Sequence, residues 1–243
     1  MNDVAPDDPA ELTRFQRWRY SSLFFPSLIL MLLVVVFVGA MGREYYRRYA
    51  VHRYVSQLGG SVHEVSTAEY WLLRSYVSQR GTDDIYKRYY KVDLSAQEVS
   101  PEELAELVSR MQALETGFKL DFTLASLSKI DFTLLNRVQN VKSLNLTQTK
   151  LTEAQLDQIG KLRQLVSLDL SRNELTSSSI EVLSKMPNLH ALLLDHVPLT
   201  DEQLIKLGEM GSLESLSITD SGVTEDTVIK FGTDHPQIEI SDD

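Results

Sequence analysis

The stretch Leu165-Val166-Ser167-Leu168-Asp169-Leu170-Ser171-Arg172-Asn173-Glu174-Leu175-Thr176 decides how this chain folds. Its apolar skeleton, Leu165, Leu168, Leu170 and Leu175 with Asn173 between, returns every 24 residues. The copy before reads Val141, Leu144, Leu146, Thr149, Leu151; the two after read Leu189, Leu192, Leu194, Val197, Leu199 and Leu213, Leu216, Ile218, Ser221, Val223. Apolar residues at i and i+2 face the same side of a strand. A fixed period in this range marks a stacked-repeat solenoid, in which no unit buries its apolar face alone and each does so against its neighbours.

A second column supports this frame. Positions 152, 176, 200 and 224 are all Thr, each preceding a helically spaced apolar run. A hydroxyl there accepts from an unpaired N–H of the first helical turn. Thr152 with Gln155 and Thr200 with Gln203 have capping-box spacing, and Glu153, Asp201, Glu202, Glu225 and Asp226 suit the positive end of a helix dipole. Leu156, Ile159, Leu162 and Leu165, then Leu204, Leu207, Met210 and Leu213, form the buried helix faces. Each unit is therefore one short strand, one turn and one short helix.

The array extends beyond these copies. Leu120-x-Phe122 precedes Leu144 by one period, with Leu127 and Ser128 in the turn and cap positions. Val92-x-Leu94 lies earlier still, followed by a Ser100 cap, Pro101 at the first helical position and Glu103 to close a box. Ile238-x-Ile240, 22 residues after Leu216, reads as the closing strand. The expectation is six strand–helix units and one terminal strand.

Residues 92–240 resemble a leucine-rich-repeat domain, and the Leu-Thr-(Asp/Glu)-x-x-Leu phrase resembles a bacterial subclass with 24-residue units. The order of basic stretch, apolar segment, Leu58-Gly59-Gly60 and repeats is similar to bacterial membrane-anchored leucine-rich-repeat proteins, with the ribonuclease-inhibitor group a more distant likeness in pattern. The resemblance implies an α/β fold: a right-handed leucine-rich-repeat solenoid with parallel strands on the concave face and helices on the convex face, preceded by an N-terminal transmembrane helix. It also implies binding rather than catalysis. One departure stands out. The usual Asn position holds Asn only at 173, with Gln97, Ala125, Thr149, Val197 and Ser221 elsewhere, so the turns must find other hydrogen bonds.

The N-terminal part is of another material. Residues 1–22 are a polar tail with Arg14, Arg17 and Arg19; residues 23–42 carry no charge and, at 1.5 Å per residue, match a hydrocarbon core of about 30 Å. Trp18 and Tyr20 on one flank, and Arg43, Arg47, Arg48 and Arg53 with Tyr45, Tyr46 and Tyr49 on the other, suit the two bilayer interfaces. The alternative is a signal peptide cleaved after Val38-Gly39-Ala40, with Met41 as the new terminus. As an anchor the segment places the N-terminus in the cytoplasm and the repeats outside, since a long domain translocates regardless of charge. Residues 43–91 are expected to be a juxtamembrane helix and cap. Tyr45, Tyr49, His52, Val55 and Leu58 would share its inner face, Gly59-Gly60 would end it, Val62 and Val65 would lie in a short strand, and Trp71 would be cap core. Residues 92–243 form the repeats and C-terminal cap.

Residues 92–243 hold 12 Lys+Arg against 25 Asp+Glu, a net charge of −13, whereas residues 43–91 are net +4. An acidic repeat domain argues against nucleic acid. The basic stretch suits a membrane surface. The absence of Cys permits an oxidising compartment without requiring one. The five His (His52, His63, His190, His196 and His235) fall in unrelated frames, and although His196 neighbours Asp195, no nucleophile or phosphate loop accompanies it. No enzyme, cofactor or metal site is expected.

If the leucines point inward, the residues between them point out: Asp93, Asp121, Asn145, Asp169, Leu193, Ser217, Glu239, with Ser95, Thr123, Thr147, Ser171, Asp195, Thr219 and Ser241 two positions on. Asp93, Asp121, Asn145, Asp169 and Asp195 are the candidate contacts for a protein partner with a basic patch. The expected function is a non-catalytic, membrane-anchored protein–protein interaction module at the cell envelope. The alternatives are an inhibitor that caps a basic enzyme through this acidic face, and a structural stalked module with no specific partner.

Overall fold

A computed structural model describes residues 24–65, 89–114 and 116–242. The expected N-terminal tail with Arg14, Arg17, Arg19, Trp18 and Tyr20, and the part of the cap containing Trp71, lie outside the described residues. The chain divides into two compact units, Met1–Arg48 and Tyr49–Asp243, so the stretch 43–91 is shared between them.

In the first unit the described chain is helix. Helix α1 begins at Phe24 and continues through the second unit's first residues to Gln57. From Pro26 onward it is long and apolar enough to cross a membrane. Its apolar side chains from Leu28 to Val38 are exposed. Beyond them Arg48 Nε donates to Glu44 Oε1 at 3.1 Å.

The second unit begins with the end of α1. Val51 and Val55 are buried there, with Tyr54 and Leu58 packed against the same core, while Tyr45 and Tyr49 are exposed. The inner face is thus Val51–Tyr54–Val55–Leu58, rotated from the one expected through Tyr45 and Tyr49. Gly59 ends the helix at φ +81°, with Gly59 N–H donating to Ser56 O and Gly60 N–H to Val55 O. This is a Schellman closure, which needs the left-handed backbone that glycine adopts freely. Gly60 is required for a different reason: a Cβ there would meet Asp93 O at 2.3 Å.

One sheet organises the rest. Its strands follow chain order: β1 Ser61–Glu64, β2 Tyr89–Asp93, β3 Gly117–Asp121, β4 Val141–Asn145, β5 Ser167–Asp169, β6 Ala191–Leu193, β7 Ser215–Ser217 and β8 Glu239–Ser241. β1 pairs antiparallel with β2, and all later pairs are parallel. Between the parallel strands lie α2 Pro101–Met111, a 3₁₀ helix Phe132–Arg137, α3 Glu153–Ile159, α4 Ser177–Leu183, α5 Asp201–Gly208 and α6 Glu225–Asp234. The six connections and seven parallel strands match the expected number.

The register is direct. Val92, Leu120, Leu144, Leu168, Leu192, Leu216 and Ile240 pair in sequence across the sheet. Leu94, Phe122, Leu146, Leu170, Leu194 and Ile218 form a parallel buried row. The last strand corrects the sequence frame. Leu216 pairs with Ile240, so Ser241, not Glu239, continues the column of Ser217, and Glu239 continues that of Ser215. The second helical position is also corrected. Asp131 rather than Ser128 caps it, accepting from Thr133 N–H at 2.9 Å, and the element is 3₁₀.

Polar ladders hold the rungs together. Thr152, Thr176 and Thr200 accept from Gln155, Ser179 and Gln203 N–H in complete capping boxes, as does Ser100 from Glu103; Thr224 makes no such bond. Asn173 spans two turns: its Oδ1 accepts from Thr149 and Lys150 N–H, and its Nδ2 donates to Leu146 O at 2.8 Å and Leu170 O at 2.9 Å. A different column ties the rungs at the other end of the strands. Asn140 Nδ2 donates to Thr116 O, Gln164 Nε2 to Leu135 O, Asn188 Nδ2 to Arg163 O and Ser212 Oγ to Leu189 O, each reaching back about one repeat. Buried carbonyls left unpaired cost about 1–3 kcal/mol each, which makes this column structural.

A third ladder runs along the turns after the strands. Ala96, Leu124, Gln148, Arg172, His196 and Asp220 all have φ between +52° and +60°. The N–H groups of the first five donate to the next turn, from Ala96 to Thr123 O at 2.8 Å through His196 to Thr219 O at 2.7 Å. The left-handed backbone opposes most of these side chains by about 1–2 kcal/mol, and the inter-rung bonds offset it.

Leu170→Ala, at a fully buried position, is expected to cost about 2–5 kcal/mol, and Thr200→Ala about 1 kcal/mol, by urea denaturation of the full chain in detergent. Equal losses would refute the division between core and cap. Leu124→Asn, at an exposed residue with φ 60°, should stabilise by about 0.5–1 kcal/mol, because Asn tolerates this backbone better than Leu.

Candidate functional site: the open strand face

The residues between the inward leucines do line one face of the sheet. Asp93 pairs in register with Asp121, Asp121 with Asn145, and Asn145 with Asp169. Asp195 lies past the end of β6, in the turn row.

The polar side chains that end β2 to β5 also close the turns that follow. Asp93 Oδ1 accepts from the Ser95 N–H at 3.0 Å and the Ser95 hydroxyl at 2.5 Å. Asp121 Oδ1 accepts from the Thr123 N–H at 3.0 Å and its hydroxyl at 2.7 Å. Asn145 Oδ1 accepts from Thr147 N–H and Asp169 Oδ1 from Ser171 N–H. Asp195 instead bridges rungs, accepting from the Ser217 hydroxyl and from Thr219 N–H at 3.0 Å. Short side-chain acceptors stabilise such turns locally, so the acidic column has a folding role before any binding role.

The face is not uniformly acidic. Lys91 Nζ sits 2.9 Å from Asp93 Oδ2 and 2.7 Å from Asp121 Oδ2. Asp121 is only 6% exposed. Burial pushes the Asp121 carboxyl up, but Lys91 and Thr123 outweigh it and hold it below its ordinary value. Burial likewise opposes Asp93, yet the Ser95 and Lys91 contacts bring it down to about 2. Burial acts to lower Lys91, and its two carboxylate partners raise it. Asp121, expected as an open contact, is instead a buried, paired charge, and Asp121→Lys would set two cations together in that place. Asn145, Asp169, Leu193 and Asp195 remain half-exposed.

His196 does not pair with its neighbour Asp195. Its Nδ1 lies 3.2 Å from Asp220 Oδ2 on the next turn. Burial and His63 lower the His52 pKa, and its ring meets Tyr90 edge-on. His190 Nδ1 contacts Asn188 O at 2.7 Å. Among the described residues, no group of three or more His, Cys, Asp or Glu is placed to hold a metal ion. Lys91 is the residue that sequence reasoning left out of the site. Its place two positions before Asp93 was the available signal, because i and i+2 share a strand face.

Lys91→Met is expected to lower stability by roughly 1–3 kcal/mol at neutral pH, between the values for exposed and buried pairs. The depressed Asp93 and Asp121 contribute stability that is present above the ordinary carboxylate pKa near ~4 and lost as pH falls through their folded values, about 2 for Asp93. Thermal melting of the wild type should therefore fall between about pH 4 and 2, and Lys91→Met should flatten that slope; an unchanged slope would remove Lys91 as its cause.

Residues 139–199 match a family model described as leucine rich repeat. Leucine-rich repeats are typically non-catalytic and generally bind protein partners. No curated protein matches the chain. The matched segment covers β4 to β6 with α3 and α4, the rungs of most regular spacing, and supports a leucine-rich-repeat protein.

Proposed function

We propose that this chain is a membrane-anchored leucine-rich-repeat module that holds a protein partner at the cell envelope. The observation that carries the binding role is the open strand face: seven parallel strands present a row of outward side chains that includes the half-exposed Asn145, Asp169 and Leu193, with Asp195 in the adjoining turn row, and neither Asp169 nor Asp195 makes an ion pair among the described residues. A flat face of small polar groups around one apolar side chain fits a protein surface better than an enclosed small molecule. The partner contact carries hydrogen-bond donors or a basic patch, directed at Asn145, Asp169 and Asp195. Asp93 and Asp121 support this contact through their pairing with Lys91.

The anchor is α1. Its apolar segment is long enough to span a bilayer, and exposed tyrosines and arginines follow it at the position of an interface. A signal sequence meets the same criterion of length and composition; the run of twenty chargeless residues at 23–42 favours the span. In this reading the N-terminus is cytoplasmic and the repeats are extracytoplasmic.

Proximity labelling from the repeat unit in intact cells tests binding and compartment together. The expected result is an extracytoplasmic partner whose labelling drops in Asp169→Lys, with the protein retained in carbonate-washed membranes and its N-terminal tag intact. A mature chain beginning at Met41 would replace the anchor with a signal sequence, and labelling indifferent to Asp169→Lys would move recognition off the strand face.

A further inference from the structure

The repeat region is acidic, yet one of its edges is basic. Lys161, Arg163 and Lys185 come together with Gly160 and Pro187 around an open depression of ≈ 420 Å³, where the chain leaves α3 and α4 to return to the sheet. All three cations are exposed. Lys185 Nζ lies 2.8 Å from Glu181 Oε1, whereas neither Lys161 nor Arg163 makes an ion pair among the described residues. The exposed Arg137, 24 residues before Lys161, ends the 3₁₀ helix of the preceding rung.

Helix dipoles account for the cluster only in part. Lys161 and Lys185 directly follow the C-caps Gly160 and Ser184, where a dipole favours a cation, but Arg163 lies four residues past Ile159, where α3 ends. The floor is also rigid. A Cβ at Gly160 would meet Val182 Cγ1 at 2.2 Å, so the two helices close tightly beneath the cations. Asn188 Nδ2 holds the Arg163 carbonyl at 2.8 Å, and Pro187 restricts the backbone beside it. A preformed cationic surface binds without a large ordering cost.

We propose that the edge formed by Lys161, Arg163 and Lys185 docks a short acidic segment of a protein partner. Charge complementarity carries the assignment. The net charge of −13 over residues 92–243 repels anions over the rest of the region, and at physiological salt a charge acts over about 8 Å, so the cations win only locally. A long polyanion such as nucleic acid would run off the edge into repulsion; a segment with a few carboxylates would not. Successive rungs offer Arg137, Lys161 and Lys185 to an extended segment crossing the repeats. The inference rests on the reading of the repeats as a protein-binding module, and it adds a second contact of opposite charge to that on the strand face.

The test uses the full chain in phosphatidylcholine nanodiscs and a fluorescein-labelled hexaglutamate peptide, followed by anisotropy at low salt. The wild type binds the peptide. Lys161→Glu with Arg163→Glu weakens binding by on the order of ten-fold or more, while the charge-matched pair Lys129→Glu with Lys150→Glu, exposed elsewhere on the repeats, leaves it unchanged. Should the reversal disturb folding, Lys161→Gln with Arg163→Gln carries the same comparison. Absence of binding, or equal loss in both charge-matched pairs, overturns the proposal. Full displacement by inorganic phosphate at equal charge makes the edge a small-anion subsite, and self-association abolished by the Lys161/Arg163 reversal makes the occupant a second copy of the chain; either result overturns it too. A failure here alongside partner labelling that still depends on Asp169 would leave the module's binding role standing.

Discussion

The in-register stacking of Val92, Leu120, Leu144, Leu168, Leu192, Leu216 and Ile240 sets the position of every other group in the repeats. Each buried leucine contributes on the order of 1.5–3 kcal/mol when removed from water, and no single rung holds enough of them to stand alone. Strand side chains alternate, so fixing the leucines inward fixes Asp93, Asp121, Asn145 and Asp169 outward. A slip of one residue would bury carboxylates and expose leucines, which makes the hydrophobic register the guarantor of the polar face.

Close stacking creates its own problem, since short strands and tight turns leave many backbone groups without water. The repeats solve it redundantly. Left-handed residues from Ala96 to His196 carry the parallel bonding pattern past the strand ends, and Asn140, Gln164, Asn188 and Ser212 pair carbonyls on the opposite side of each rung. The Gln residues of two capping boxes do double duty: Gln155 Nε2 also reaches Leu127 O at 2.6 Å, and Gln203 Nε2 reaches Ser177 Oγ. Helix caps and inter-rung ties are in these cases the same side chains.

Charge is sorted by location within this frame. On the strand face, Lys91 neutralises the first two carboxylates and leaves the middle of the face with half-exposed acceptors. On the edge where helices return to strands, Lys161, Arg163 and Lys185 cluster in an otherwise acidic region. Charge complementarity of this kind sets orientation and association rate more than raw affinity.

The period of 24 residues, the Thr caps and the alternation of leucines determined by themselves that strands and helices alternate, which residues are buried and which face outward, because these depend on local spacing and on burial, and both leave periodic traces. The column Asn140, Gln164, Asn188, Ser212 was equally periodic, but its role could not be read, since three residue types do one job and only their carbonyl partners reveal it. Tertiary structure alone decided four further matters. It chose Val51 and Val55 over Tyr45 and Tyr49 as the packed face of α1, because a helix end is oriented by the core it meets. It aligned Ile240 with Leu216, because pairing geometry overrides spacing in a closing strand. It made the segment at Phe132–Arg137 a 3₁₀ turn. Finally, it bound Lys91 to Asp121 on the next strand as well as to Asp93 on its own, converting a patch that sequence presents as open acid into a closed ion-paired one, since Lys91 and Asp121 meet only once the sheet has formed.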